Sequence, residues 1–190
     1  MIPGIITKGI GGFYYVDTGE KLYECRARGL FRLKNVKPIV GDYVEIEVED
    51  KTGQGYIINI KDRKSEMIRP EVANVEQVII VFAAKNPDIN MSLLQKFLVY
   101  AEYIGLKIVI CINKVDLDLD EEYKPILEML NTIPYNVLKT SAVLRIGIKE
   151  LIDFLADKIS VFAGPSGAGK SSLLNAINPD LQLKTGQISS

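Results

Sequence analysis

Apolar and polar positions follow two different rhythms along the chain. In the first 60 or so residues apolar positions come in short runs broken by turn residues. Val44, Ile46 and Val48 alternate with Glu45, Glu47 and Glu49, the period of two that marks a half-buried strand. Similar runs predict strands at Gly4–Lys8, Gly12–Asp17, Leu22–Arg28, Tyr43–Glu49 and Gly55–Ile60. Gly11-Gly12, Thr18-Gly19, Val40-Gly41-Asp42 and Thr52-Gly53 supply the turns between them. About five short strands in this span point to a small closed barrel of the OB type.

From about residue 70 the rhythm changes. Val75–Ala84 is an almost continuous apolar run, suited to a parallel strand buried on both faces. Residues 90–104 carry Leu94, Phe97, Leu98 and Ala101 at helical spacing, with Gly105 as a stop. A strand at Lys107–Ile112, a helix through Tyr123, Ile126, Leu127 and Leu130, and a strand at Asn136–Thr140 follow. A helix through Ile148, Leu151, Ile152 and Leu155, a strand at Ile159–Ala163 and a helix at Lys170–Ile177 complete the pattern. Strand and helix in alternation predict a parallel α/β sheet. The organisation expected is therefore a barrel over residues 1–70 and an α/β domain over residues 71–190, with no internal repeat.

Composition narrows the chemistry. Lys and Arg total 23 and Asp and Glu 24, a net charge of −1, and the 190 residues include two cysteines and no histidine. Histidine-based nucleophilic catalysis is excluded, as is a disulfide framework, and Cys and His are too few for an ordinary zinc site. Cys25 and Cys111 fall in apolar strand segments and read as buried free thiols. The longest unbroken apolar run, Val78–Ala84, is far below the roughly 18 residues that span a bilayer, and the N-terminus does not read as a secretory signal. A cytoplasmic protein without a membrane segment is expected. Charge is unevenly placed: no acid lies between Glu24 and Asp42, while Arg26, Arg28, Arg32, Lys34 and Lys37 fall together. Such a patch suits nucleic-acid phosphates, and equally a solvated loop.

Two loops carry specific chemistry. Gly164-Pro165-Ser166-Gly167-Ala168-Gly169-Lys170-Ser171 fits G-x-x-x-x-G-K-[ST] in full, after a predicted strand and before a predicted helix. Glycines let successive N–H groups turn inward onto phosphates, and the helix N-terminus, continuing through Ser172, adds positive potential. Lys170 is expected to reach the β- and γ-phosphates and to be the catalytic cation, with Ser171 on Mg²⁺. The bland alternative is a glycine-rich turn with a capping serine. Asn113-Lys114-Val115-Asp116 follows the strand at Lys107–Ile112 and spells N-K-x-D. The Asp116 carboxylate only accepts, which suits the N1–H and 2-amino donors of guanine. Asn113 can tie the two loops together, and the Lys114 stem can cover the base. Alone, this motif is a polar turn after a strand. With a phosphate loop, both at strand C-termini where open α/β sheets bind ligands, it reads as a guanine site. Ser141-Ala142, after the next strand, says little alone; standing one strand-helix-strand unit after N-K-x-D, it matches the place from which guanine sites give a backbone N–H to O6. An adenine-nucleotide enzyme is the rival reading, and Asp116 argues against it.

The order of these motifs is unusual, because the guanine motifs precede the phosphate loop. With a small barrel in front, the chain resembles the bacterial small ribosomal subunit-dependent, circularly permuted GTPases (ribosome small subunit-dependent GTPase A). The resemblance is carried by Arg63-Lys-Ser-Glu-Met-Ile-Arg-Pro70, Ala73-Asn-Val-Glu-Gln77, Asn86-Pro-Asp88, Gln95-Lys-Phe-Leu98 with Ala101-Glu102, and Ser160-Val-Phe-Ala-Gly164 with Ser171-Ser-Leu-Leu-Asn175. It implies a monomeric GTP hydrolase that binds GTP and GDP with Mg²⁺. It also implies a partner, the small ribosomal subunit, met late in assembly, with the barrel on ribosomal RNA and hydrolysis stimulated by the subunit. An RNA-binding factor that uses nucleotide only as a switch is the alternative.

The family pattern continues past Ser190, with switch regions and a zinc domain, so the sequence is expected to be a fragment with zinc confined to the part beyond it. Two patterns are decoys. Asp50-Lys-Thr-Gly53 spells D-x-x-G inside the barrel and reads as a hairpin turn. Asp116, Asp118 and Asp120 imitate a calcium loop, but Glu121 stands where glycine is required and Leu127 where glutamate is required.

Overall fold

The computed structural model describes residues 1–29, 31, 36–49, 53–68, 70–118 and 122–183. The chain forms two compact units, Met1–Val75 and Glu76–Ser190.

In the first unit, β1 (Ile2–Ile10), β2 (Phe13–Asp17), β3 (Leu22–Ala27), β4 (Tyr43–Val48) and β5 (Gly55–Ile60) close a barrel in the order β1-β2-β3-β5-β4. β1 is longer than its sequence pattern suggests because it serves two partners. Ile2–Ile5 pair with β4, and Ile5–Ile10 pair with β2 across a register shift between Ile6 and Lys8. Such a shift bends a strand and sharpens its twist, which a small barrel needs to close. Ile6, Val16, Cys25, Val44, Ile46 and Ile57 fill the interior, each 0–1% exposed. The D-x-x-G decoy lies between β4 and β5, where the Gly53 N–H donates to Glu49 O at 2.8 Å; Asp50, Lys51 and Thr52 lie outside the described residues.

Two further strands, β6 (Glu66–Met67) and β7 (Val72–Ala73), form a short antiparallel ladder. It is tied to the barrel by polar bonds. Asp42 is fully buried and holds Arg63 at both oxygens, with Nε–Oδ1 at 2.7 Å and Nη2–Oδ2 at 2.9 Å. Arg63 also donates to Lys37 O at 2.7 Å and Glu66 Oε2 at 2.8 Å, and Asp42 accepts from the Ile39 N–H. Asn74, also buried, donates to Gly41 O and accepts from the Lys64 N–H. Every charge buried here has its partners, as burial demands.

In the second unit, β8 (Gln77–Ala83), β9 (Lys107–Asn113), β10 (Asn136–Lys139) and β11 (Ser160–Ala163) form a parallel sheet ordered β10-β9-β8-β11. All seven β8 residues are buried. Gln77 is tolerated there because its side-chain N–H₂ donates to Phe154 O and Ser160 Oγ, both at 2.7 Å. The helices are α1 (Met91–Tyr103), α2 (Lys124–Leu130), α3 (Ile148–Leu155) and α4 (Lys170–Ile177). Asn90 caps α1, accepting from the Leu93 N–H at 2.9 Å. On one sheet face Ile79, Val81, Val109 and Cys111 pack with Ile148 and Leu151 of α3 and Leu173 and Ala176 of α4. On the other, Phe82 meets Phe97 of α1 edge to face, with centroids 6.2 Å apart. The C-terminal ends of β8, β9, β10 and β11 therefore open onto one rim, where the sequence motifs lie. No helix among the described residues is long and apolar enough to cross a membrane.

Both cysteines are buried and unpaired. Burial pushes the Cys25 thiol up to about 11 and that of Cys111 up to about 12. Native protein at pH 8 should therefore be silent to a thiol-disulfide reagent and release two equivalents only after denaturation. Rapid labelling of either thiol in the native state would contradict this packing.

Candidate functional site

The rim is assembled by the sheet and closed by hydrogen bonds between its loops. Asn113 is the last residue of β9 and is 1% exposed. Its Nδ2 donates to Ala168 O at 2.9 Å, and its Oδ1 accepts from Thr140 Oγ1 at 3.2 Å. One side chain thus joins the N-K-x-D loop, the loop after β10 and the phosphate loop. The chain then turns through Lys114, which has a left-handed backbone (φ +61°), into a 3₁₀ turn over Val115–Leu117 containing Asp116. The Lys114 ammonium donates to Asn86 O at 2.5 Å. Burial lowers its pKa, with Asp116 opposing. The Val115 N–H faces Thr140 O at 3.4 Å.

After β10, the Ser141 N–H donates to Ile146 O at 3.0 Å and Ser141 Oγ accepts from the Leu144 N–H at 3.1 Å. The Ser141 amide is therefore used within the loop. The Ala142 N–H has no hydrogen-bond partner among the described residues.

The phosphate loop follows β11. Gly164 (φ +137°), Gly167 (φ +76°) and Gly169 (φ +91°) all adopt backbone that side chains disfavour. A Cβ at Gly164 would lie 2.1 Å from Val81 O, and one at Gly169 would lie 2.3 Å from Asn113 Nδ2. Both glycines are thus required by close approach as well as by φ. Ala168 is fully buried and its N–H approaches Pro165 O at 3.4 Å, closing a turn with Ser166 and Gly167 at its corners. Lys170 begins α4, and its ammonium is held by Gly164 O at 2.9 Å and Pro165 O at 2.8 Å. Burial lowers the Lys170 pKa. Ser171 and Ser172 occupy the first turn of α4, and neither hydroxyl is bonded to another described residue. These are oriented donors without an acceptor of their own, the condition an anion with its metal would satisfy. The structure thus brings Asn113, Thr140 and the 164–172 loop into one bonded assembly, with Lys114, Val115, Asp116, Ser141 and Ala142 in the neighbouring segments of the same rim. Sequence reading missed the link from Lys114 to Asn86 and the role of Thr140.

The basic cluster behaves differently. Arg26 lies over the Phe13 ring at 4.6 Å, Arg28 is paired with Glu47, and Lys37 is paired with Glu71 at 2.6 Å. Arg32 and Lys34 lie outside the described residues. Arg26, Arg28 and Lys37, with Phe13, Tyr14 and Phe31, line a cavity of about 850 Å³. It belongs to the barrel and contains none of the phosphate-loop residues. Among the described residues no group of three or more His, Cys, Asp or Glu is placed to hold a metal ion.

Comparison with known proteins gives concordant results. The family model described as RsgA GTPase matches residues 60–190, and the RsgA N-terminal domain model matches residues 3–57. A protein of Clostridium beijerinckii named small ribosomal subunit biogenesis GTPase RsgA is 50% identical over 98% of the chain. One of the same name from Caldanaerobacter subterraneus is 50% identical over 99% of it. The chain spans 63% of the length of each of these relatives. Among solved structures, YjeQ from Thermotoga maritima superposes with a TM-score of 0.87 at 44% identity, covering 97% of this chain and 68% of that one. YloQ, described as a circularly permuted GTPase, gives 0.80 at 40% identity, covering 95% and 65%.

Proposed function

The chain belongs to the RsgA GTPase family, and from the bonded rim we propose that it binds GTP and GDP and takes part in GTP hydrolysis during biogenesis of the small ribosomal subunit. The observation that carries the nucleotide reading is the Asn113 bridge, which holds a guanine-type loop and a phosphate-type loop in one assembly. Asp116 accepts from guanine N1–H and the 2-amino group, the Ala142 amide donates to O6, and the Lys114 stem covers the base. Amides of residues 164–172 cradle the phosphates. Lys170 leaves the carbonyls of Gly164 and Pro165 for the β- and γ-phosphates, where its charge opposes that developing in the transition state. Ser171 holds Mg²⁺, which supplies charge neutralisation when bound.

The ribosomal part rests on the printed names of the relatives. In this reading the barrel contacts ribosomal RNA through the surface that carries Arg26, Arg28 and Lys37, and the protein acts as a cytoplasmic monomer. Subunit-stimulated GTP turnover tests that part, and a rate unchanged by added small subunits would count against it.

The base assignment has a sharper test. Asp116→Asn replaces an acceptor-only group by one that also donates. The protein should then lose at least about tenfold in GDP affinity and gain affinity for xanthosine diphosphate. Unchanged GDP binding, or a wild-type preference for ADP, would remove Asp116 from this role.

A further inference from the structure

Asn86-Pro-Asp88 carries part of the family resemblance yet belongs to neither nucleotide loop. It follows β8, whose last residue, Ala83, pairs with Asn113 at the end of β9, so the two segments leave the sheet side by side. The three residues after β8 each bond to the N-K-x-D segment or its continuation. The Ala84 N–H donates to Asn113 O at 2.7 Å. Lys85 Nζ meets Glu122 Oε2 at 2.5 Å, just ahead of α2. Asn86 O accepts from the Lys114 ammonium at 2.5 Å, the one hydrogen bond of that ammonium among the described residues. Asn86 has a left-handed backbone, φ +53°, which asparagine tolerates and a β-branched residue does not. The Lys114 stem runs beside the phosphate loop, where its Cε lies 3.8 Å from the place a Cβ at Gly169 would take.

We infer that Asn86 is a positioning residue of the base site: its carbonyl holds the Lys114 ammonium so that the stem lies ready to cover a purine face. The inference rests on the proposed guanine-nucleotide reading. A long, flexible side chain gives up rotamer freedom when it is pinned against a ligand. Here the pinning is done beforehand, so the docking base meets a wall already in place. A carbonyl suits the task, because it takes one N–H of the ammonium and leaves the charge and the other two donors. The role lies in the backbone at position 86, so a side chain there matters through the conformation that it permits.

The test measures dissociation constants of the 190-residue chain for GDP. Asn86→Val, strained at this φ, should weaken GDP about tenfold. Asn86→Gly permits the conformation and should stay within about threefold of wild type. Lys114→Met keeps an apolar stem and removes the tether. In that background Asn86→Val should cost less than about twofold, because no ammonium is left to misplace. Asn86→Ala strains the same backbone less and runs the same cycle should Asn86→Val fail to fold. A loss that persists undiminished beside Lys114→Met, or a glycine variant as impaired as the valine one, would overturn the assignment. If wild type binds GDP and Asn86→Val binds it as tightly, only this inference fails. If wild type binds no GDP, the nucleotide reading fails and takes this inference with it.

Discussion

Gly169→Ala should lower GDP affinity by about a hundredfold or more while leaving the barrel folded. Two costs act together. The backbone at position 169 has φ +91°, a region that costs a residue with a Cβ about 1–2 kcal/mol. The added Cβ would also sit 2.3 Å from Asn113 Nδ2. That nitrogen cannot simply step aside, because Asn113 is buried and engaged with both Ala168 and Thr140. Relief requires giving up the bond to Ala168 or displacing the loop, and a buried amide left unpaired costs roughly 1–3 kcal/mol. The combined loss of about 3 kcal/mol corresponds to about a hundredfold in binding. Titration calorimetry with GDP measures it, and an affinity within about threefold of wild type would show that the loop tolerates the side chain. Adding Asn113→Ala removes the atom that clashes, so the pair should be markedly less damaging than the sum of its parts.

Arg63→Met should cost about 3–5 kcal/mol of stability in the first unit, the loss expected when a buried ion pair loses one member. Asp42 is entirely shielded from water, and Arg63 supplies two of its three hydrogen bonds among the described residues. Among the described residues, the variant leaves that carboxylate with the Ile39 amide. It also removes the donors to Lys37 O and Glu66, so β6 and β7 should loosen with the barrel. Denaturant unfolding reads the effect, and a loss below about 1 kcal/mol would mean that water or another cation replaces the guanidinium. Asp42→Asn added to Arg63→Met should recover part of the loss, because the stranded charge is then gone.

Both expectations depend on features of different legibility. The strands and helices of the second unit were readable because each is local: the seven-residue apolar run Val78–Ala84 at β8, helical spacing at Leu94, Phe97 and Ala101, and Gly105 as a stop. Asn113 was expected just after a strand and proves to end it, a shift of one residue that places its side chain against Ala168. The two loops were readable because their chemistry needs particular residues at fixed intervals. What stayed hidden depends on partners distant in sequence. Nothing near Arg63 announces Asp42, 21 residues earlier. The two-residue strands β6 and β7 are too short to show a period. The basic cluster looked like free charge because Glu47 and Glu71 lie outside it, yet they pair with Arg28 and Lys37. Ser141 and Ala142 were equivalent as letters. Only the bond from Ser141 to Ile146 separates their amides.

The strand order β10-β9-β8-β11 also has a consequence in time. A chain made from its N-terminus releases residues 113–116 about fifty residues before residues 164–171. The N-K-x-D loop is thus made first, and its Asn113 bridge to Ala168 can form only once the segment after β11 has reached the sheet. On the proposed reading, a guanine nucleotide would act as a clasp on a newly made chain, stabilising by mass action the arrangement in which residues 164–171 have docked beside residues 113–116.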